Sequence, residues 1–251
     1  MHARLIQYSF SNQAENLAAE ESVALAVQAG ETPPTVLIWQ NSNAVVLGKF
    51  QCWRNEVFLD ACQRYSTIIL RRFSGGGAVF QDLGNLNISF IFPLEKGKPL
   101  ITGFRIQKQI NKVLKATVDS FGVQTVALPH GGLEVKGRKV SGAAGVIKTG
   151  LVFSHYTLLI SADIKKLNEV LTPMKADKKG CVKSRPSPVA NLSDFIDNPV
   201  RDGDLIYSLK DQLQLQMGIK ATQSSWAPFE INSRVELTDN KHSTNEWIFW
   251  R

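Results

Sequence analysis

Three consecutive glycines, Gly75, Gly76 and Gly77, follow a strand-like run at Thr67 to Arg72. They remove every Cβ from one bend, so the backbone N–H groups there can approach an anionic group closely. Arg72, just before the bend, adds a planar fork that suits a phosphate or a carboxylate. The same residues also suit a plain glycine bulge beside a surface arginine.

Short elements joined by tight turns surround this loop. Leu5 to Tyr8 is strand-like, and Ser11 to Ala29 carries apolar residues at helical spacing up to Gly30. Thr35 to Gln40 and Ala44 to Gly48 read as a hairpin turning at Asn41 to Asn43. Leu86 to Pro93 alternates as the partner strand of Thr67 to Arg72. A helix from Ile106 to Phe121 precedes strands at Leu133 to Lys136, Arg138 to Val140 and Val152 to Ile160, with turns at Gly137 and Gly150, and Ala162 to Leu171 is helical. Tight turns between neighbouring strands replace helical crossovers. The expected fold is therefore α+β, a mixed, largely antiparallel sheet with flanking helices, and not a Rossmann fold.

With 251 residues, no internal repeat and no linker rich in Pro, Gly or Ser, residues 1–251 are expected to form a single domain. Such a chain buries about three quarters of the surface its unfolded form exposes, so it needs neither disulfide nor metal to hold a core. Three cysteines, Cys52, Cys62 and Cys181, rule out a disulfide framework, and the odd count points to the cytoplasm. No apolar run approaches the ~20 residues of a membrane helix, and no signal segment is read. The net charge of +7 comes from scattered bases, clustered only at Arg71-Arg72, Lys136 to Lys139, Lys165-Lys166 and Lys175 to Lys183. No RNP, zinc-finger or basic-zipper pattern accompanies them, and an acidic protein or an anionic small substrate explains the sign as well as nucleic acid does; no residues before the first strand supply the helix-turn-helix that nucleic-acid binding would need, so no nucleic-acid partner is expected.

A second candidate lies at Lys139 to Gly145, where small residues follow a lysine. Alternation places Lys139 and Ser141 on one strand face and Val140 on the other. Such a lysine could bridge two anionic groups; a solvated surface lysine is the plain alternative. The spacing Gly132-x4-Gly137 fails as a P-loop, because Arg138 stands where lysine is required and no helix follows. His2, His130, His155 and His242 are too dispersed for a metal cluster, so any metal would come with a nucleotide. Cys52 and Cys62 read as packing residues, and Cys181, in a basic loop, is a poor nucleophile.

Taken together, the run from Arg71 to Ser89, with Arg71-Arg72, Ser74 to Phe80, Asp82 to Asn85 and Asn87, and the element Lys139-Val140-Ser141-Gly142-x-Ala144 resemble the lipoate-protein ligase family of the biotin/lipoate protein ligase superfamily. Further marks are Asn16 to Ala18 with Glu20-Glu21, Val45 to Gly48 before Gln51, His155 with Leu158-Leu159 and Asp163, and Val189 to Leu192. The likeness covers residues 5–200.

The resemblance implies a biotin/lipoate ligase-like catalytic domain. Such an enzyme activates lipoate with ATP and Mg2+ to lipoyl-AMP. It then moves the lipoyl group to a lysine of a lipoyl domain, in 2-oxoacid dehydrogenase E2 subunits or the glycine cleavage H protein. Lys139 becomes the catalytic residue, between the carboxylate and the α-phosphate. Arg72, Ser74, Gly75, Gly76, Gly77, Ala78, Val79, Phe80, Asp82, Asn85, Ser141, Gly142, Ala143 and His155 would bind substrate and nucleotide. Trp39, Val46 and Val79 would line the slot for the dithiolane tail.

Two positions depart from the family pattern: Gln81 replaces a histidine, and Gly131-Gly132 replaces an Asn-Asp pair. Larger members carry an extra domain of about a hundred residues after the catalytic one. Few residues follow position 200 here, which implies a separately encoded accessory subunit, or use of a ready-made acyl adenylate or carrier. Lys175 to Lys183 would be a loop closing over the adenylate or a solvated face. A transferase using a cysteine thioester is disfavoured, because no Cys stands near Lys139. A non-catalytic module that holds lipoyl domains is the alternative from another class.

Overall fold

The computed structural model describes residues 1–94, 97, 100–171 and 180–251. β1 (His2–Tyr8) leads into α1 (Gln13–Ala29), which starts where the Asn12 side chain accepts from the Ala14 N–H and stops at Gly30 in the left-handed region. Next come β2 (Thr35–Trp39), β3 (Asn43–Leu47), the short helices α2 (Trp53–Glu56) and α3 (Leu59–Arg64), β4 (Ile68–Arg71), β5 (Val79–Asp82) and β6 (Asn85–Phe92). α4 (Leu100–Asp119) precedes β7 (Val126–Ala127), β8 (Leu133–Val135), β9 (Arg138–Lys148) and β10 (Leu151–Leu159). α5 (Ile164–Val170), α6 (Asp202–Met217), β11 (Lys220–Gln223), α7 (Pro228–Leu237) and α8 (Asn245–Ile248) follow.

One sheet has the strand order β11-β1-β2-β6-β10-β9-β8-β7, and a second has the order β4-β3-β5. In the large sheet β1 runs parallel to β11 and β2, and the remaining pairs are antiparallel. This is the mixed, largely antiparallel α+β architecture expected from the turns.

Two pairings differ from expectation. β2 and β3 are no hairpin: β2 pairs with β1 and β6, whereas β3 pairs with β4 and β5 in the other sheet. Asn41 to Asn43 carries the chain between sheets. Its polar side chains are used internally: Asn41 is buried against Asn16 and Gln81, and Asn43 donates to the carbonyls of Tyr65 and Ser66. Nor is β6 the partner of β4, which pairs in parallel with β3. α4 also starts earlier than Ile106, because Leu100, Ile101 and Phe104 are exposed and hide the amphipathic period.

Both faces of the large sheet are covered. Leu5, Ile38, Ile88, Phe90 and Leu158 pack with Ile110, Val113 and Leu114 of α4 and with Leu205, Leu209 and Leu213 of α6. On the other face Leu37, Trp39, Ile91 and Phe153 pack against Leu17 and Val23 of α1 and meet Val46 and Leu70 of the small sheet. The gap between the two sheets opens on this second face.

Cys52 and Cys181, read from the sequence as unpaired, are joined as a disulfide, with Cα atoms 5.6 Å apart across 129 residues of sequence. Residue count and spacing carry no trace of a pair that only the tertiary fold brings together. Cys62 is free and buried. No described helix is long and apolar enough to cross a membrane. Most of the Lys175 to Lys183 stretch lies outside the described residues.

Candidate active site

The pleat of the large sheet lines up two rows of residues in the gap. Trp39, Asn87, Thr157 and Gly142 are register partners across β2, β6, β10 and β9; Leu37, Ser89, His155 and Ala144 form the next row. Trp39, Asn87, Thr157, Gly142, His155 and Ala144 from these rows, with Leu17 and Glu20 of α1 and with Val46, Arg72, Gly76 to Val79 and Gln81 from the small sheet and its loop, line a cavity of about 550 Å³. A second cavity of about 340 Å³ adjoins it, walled by Phe80, Leu159, Leu167 and Asn168. Lys139, Gly142, Ala78, Val79, Thr157 and Ser184 to Ser187 line both.

Lys139 reaches that shared wall through a bulge. Leu133 stands opposite Ser141 but Glu134 opposite Lys139, so the register slips by one at Val140. Strict alternation fails there. Lys139 points with Gly142, where an added Cβ would sit 3.6 Å from Lys139 Nζ. Ser141, expected beside Lys139, is fully buried and lines neither cavity. Burial lowers the Lys139 pKa. Its backbone is clamped to the segment that roofs the site: its N–H donates to Pro188 O at 2.7 Å, and its carbonyl accepts from the Ala190 N–H at 3.0 Å.

Arg72 builds the glycine loop. Nη2 donates to Gly75 O at 2.6 Å and Gly77 O at 2.8 Å, Nη1 to Val46 O at 3.1 Å, and Nε to Ser74 Oγ at 3.1 Å. The fork expected to face an anion is thus bound to carbonyls, and burial brings its pKa down to about 10. Gly76 has φ +88°, and a Cβ there would lie 2.9 Å from both Arg72 Nη2 and Ala144 Cβ. A Cβ at Gly48 would lie 2.1 Å from Gly76 O. Only glycine lets the loop pass between β3 and β9.

His155 Nε2 lies 2.9 Å from Ser74 Oγ, and Nδ1 lies 3.2 Å from Glu20 Oε1. Glu20 also accepts from Ser89 Oγ, and from Trp39 Nε1 at 3.3 Å. Ser184 roofs the site: its Oγ accepts from the Ala78 N–H at 2.9 Å and from Gln51 Nε2 at 3.0 Å, and its N–H donates to Glu56.

Of the residues singled out from the sequence, Trp39, Val46, Arg72, Gly76, Gly77, Ala78, Val79, Lys139, Gly142, Ala143 and His155 line the larger cavity, and Phe80 lines the smaller. Ser74, Gly75, Asp82 and Asn85 line neither. Asp82 holds a turn, accepting from the N–H groups of Gly84 and Asp163, and Asn85 donates to Asn87 Oδ1. Sequence reasoning missed Leu17, Glu20, Asn87, Thr157 and Ser184 as cavity residues. A glutamate on the otherwise buried face of α1 was the available signal. Gln81 faces the larger cavity.

Residues 12–214 match the family of the lipoyl protein ligase A/B catalytic domain. The chain belongs to this family. It is 34% identical over 185 residues to probable lipoate-protein ligase A of Mycoplasma pneumoniae, which covers 73% of this chain and 53% of that protein. The chain thus spans about half of that relative's length. It is 28% identical over 247 residues to lipoate-protein ligase A subunit 1 of Thermoplasma acidophilum, covering 94% of this chain and 92% of the relative. A crystal structure of lipoate-protein ligase A bound with ATP has a TM-score of 0.85 at 25% identity, with 99% of each chain covered. Among the described residues no group of three or more His, Cys, Asp and Glu could hold a metal ion.

Proposed function

We propose that residues 1–251 form one catalytic domain of a lipoate-protein ligase. It activates lipoate with ATP to lipoyl-AMP and transfers the lipoyl group to a lysine of a lipoyl domain, of an E2 subunit or an H protein. The observation that carries this reading is Lys139 on the wall shared by two cavities, the larger of them lined also by the apolar Leu17, Trp39 and Val46. The names of the family's relatives support it, as does the ATP-bound likeness.

In this reading lipoate enters the larger cavity with its carboxylate at Lys139, and ATP brings its α-phosphate to the same ammonium from the smaller one. The carboxylate oxygen attacks the α-phosphorus, an acyl–phosphate bond forms and pyrophosphate leaves. Lys139 offsets the charge on both reacting groups, in a site where burial strengthens that attraction. The acceptor amine then attacks the acyl carbonyl and AMP leaves. Mg2+ would come on the nucleotide's phosphates, since the described residues offer no cluster to hold it alone.

A separate accessory subunit belongs to the proposal because the Thermoplasma relative is named subunit 1. The cytoplasmic location expected from unpaired cysteines loses that ground with the Cys52–Cys181 bond; nucleic acid and membrane are not part of the proposal. A cysteine thioester has no support: Cys52 and Cys181 are bonded, and burial pushes the Cys62 thiol up to about 11.

A mass-resolved assay tests this. The chain receives an apo lipoyl domain with lipoate plus Mg-ATP, or with synthetic lipoyl-AMP. Addition of one lipoyl group that is lost in Lys139→Ala is expected. Modification from lipoyl-AMP alone assigns activation to a partner, and no modification from either rejects the ligase.

A further inference from the structure

Asn87 sits on the cavity floor between Trp39 and Thr157. It is 3% exposed, and its Nδ2 has no hydrogen-bond partner among the described residues. Among the described residues, none of the other buried side-chain atoms without a partner belongs to a residue lining this cavity. Buried amides are ordinarily paired, so this one points to a ligand that supplies the acceptor.

A relay of amides decides which atom Asn87 offers. The Phe10 backbone N–H, which can only donate, bonds Asn16 Oδ1 at 2.8 Å. Asn16 Nδ2 must then donate to Asn41 Oδ1 at 2.8 Å, Asn41 Nδ2 to Gln81 Oε1 at 2.7 Å, and Gln81 Nε2 to Asn87 Oδ1 at 2.7 Å. Asn85 Nδ2 adds a second donor to Asn87 Oδ1 at 3.2 Å. Orientation is inherited from the main chain, and rotating the Asn87 amide would set three N–H2 groups against one another. What Asn87 has left is a donor.

Its position sets what the donor meets. Gly142, beside Lys139, is two strands away from Asn87, about 10 Å at the usual strand spacing. An extended acyl chain of octanoyl length, with its carboxylate at Lys139, ends there. We infer that Asn87 selects medium-chain acids bearing a hydrogen-bond acceptor at the far end, such as a dithiolane sulfur or an oxygen, over plain alkyl acids of equal length. This rests on the ligase reading of the cavity, and makes Gln81 a positioning residue.

Calorimetric titration of the full chain with lipoate, 6-oxo-octanoate and octanoate is the test, run alongside the transfer assay. In Asn87→Leu the octanoate-to-6-oxo-octanoate ratio of Kd should fall about three- to tenfold, the range set by the net value of one hydrogen bond, and the octanoate-to-lipoate ratio should fall less, because a dithiolane sulfur is a weak acceptor. Asn87→Asp keeps the acceptor for Gln81 and Asn85 but loses the donor, and should lower both ratios if the leucine variant does not fold. An octanoate-to-6-oxo-octanoate ratio unchanged within about twofold in a folded variant overturns the inference. So does a wild-type chain that binds all three acids equally, whatever the variants do. Absence of transfer with the binding ratios intact sinks the ligase reading instead.

Discussion

Arg72 is buried and Lys139 half-buried at one cavity, and their hydrogen bonds separate them. Arg72 gives its donors to Val46, Ser74, Gly75 and Gly77, so it is part of the loop's scaffold. A lysine at that position carries its three donors on one nitrogen and cannot span acceptors as spread as Val46 O, Ser74 Oγ, Gly75 O and Gly77 O. Arg72→Lys should lose about 2–4 kcal/mol of stability in urea denaturation, from buried carbonyls left without donors; an unchanged midpoint would contradict this role. The sequence made Arg72 conspicuous but could not tell whether its fork faced inward or toward a ligand. Ser141 shows the same limit: its direction depends on a bulge at Val140 that arises from pairing with β8, and nothing local to Val140 marks it.

At the scale of elements, Glu21 of α1 ties down the segment after α7. It accepts from Lys241 Nζ at 2.6 Å, and its Oε2 lies 2.8 Å from His242 Nε2. His242 Nδ1 and Trp247 Nε1 in turn meet Arg71 O, at the strand end that starts the glycine loop. Burial raises the Glu21 pKa, but the bonds from His242 and Lys241 outweigh it, and the carboxyl stays below its usual 4.5. A depressed folded pKa stabilises at pH above the unfolded value and is lost as pH falls through the folded one. The stability difference between wild type and Glu21→Gln should therefore be full at about pH 6 and shrink once pH drops below about 4.5. Urea midpoints at several pH values check this, and a pH-independent difference would refute it. Most element types were legible from period and turn residues. Strand partners were not, because β2 and β3 are adjacent in sequence yet belong to different sheets.

For the whole molecule, the Cys52–Cys181 bond ties the roof segment bearing Ser184 to the start of α2. Closing so long a loop should stabilise by about 2–5 kcal/mol. Cys52→Ser, or wild type with a thiol reductant, should melt below the oxidised chain, and thiol titration of the unfolded oxidised chain should find one free cysteine. Equal melting temperatures, or three free thiols, would reject the bond. The two sheets carry the site between them, and this explains the division between what was readable and what was not. By itself the sequence determined the α+β class, the glycine loop and a lysine among small residues, because these rest on local conformation and residue chemistry. Tertiary structure alone decided that Lys139 stands on a wall common to two cavities, that Glu20, Asn87 and Ser184 complete them, and that two cysteines meet. Such contacts depend on which strands pair and in what register, which is set by burying both faces of the large sheet at once.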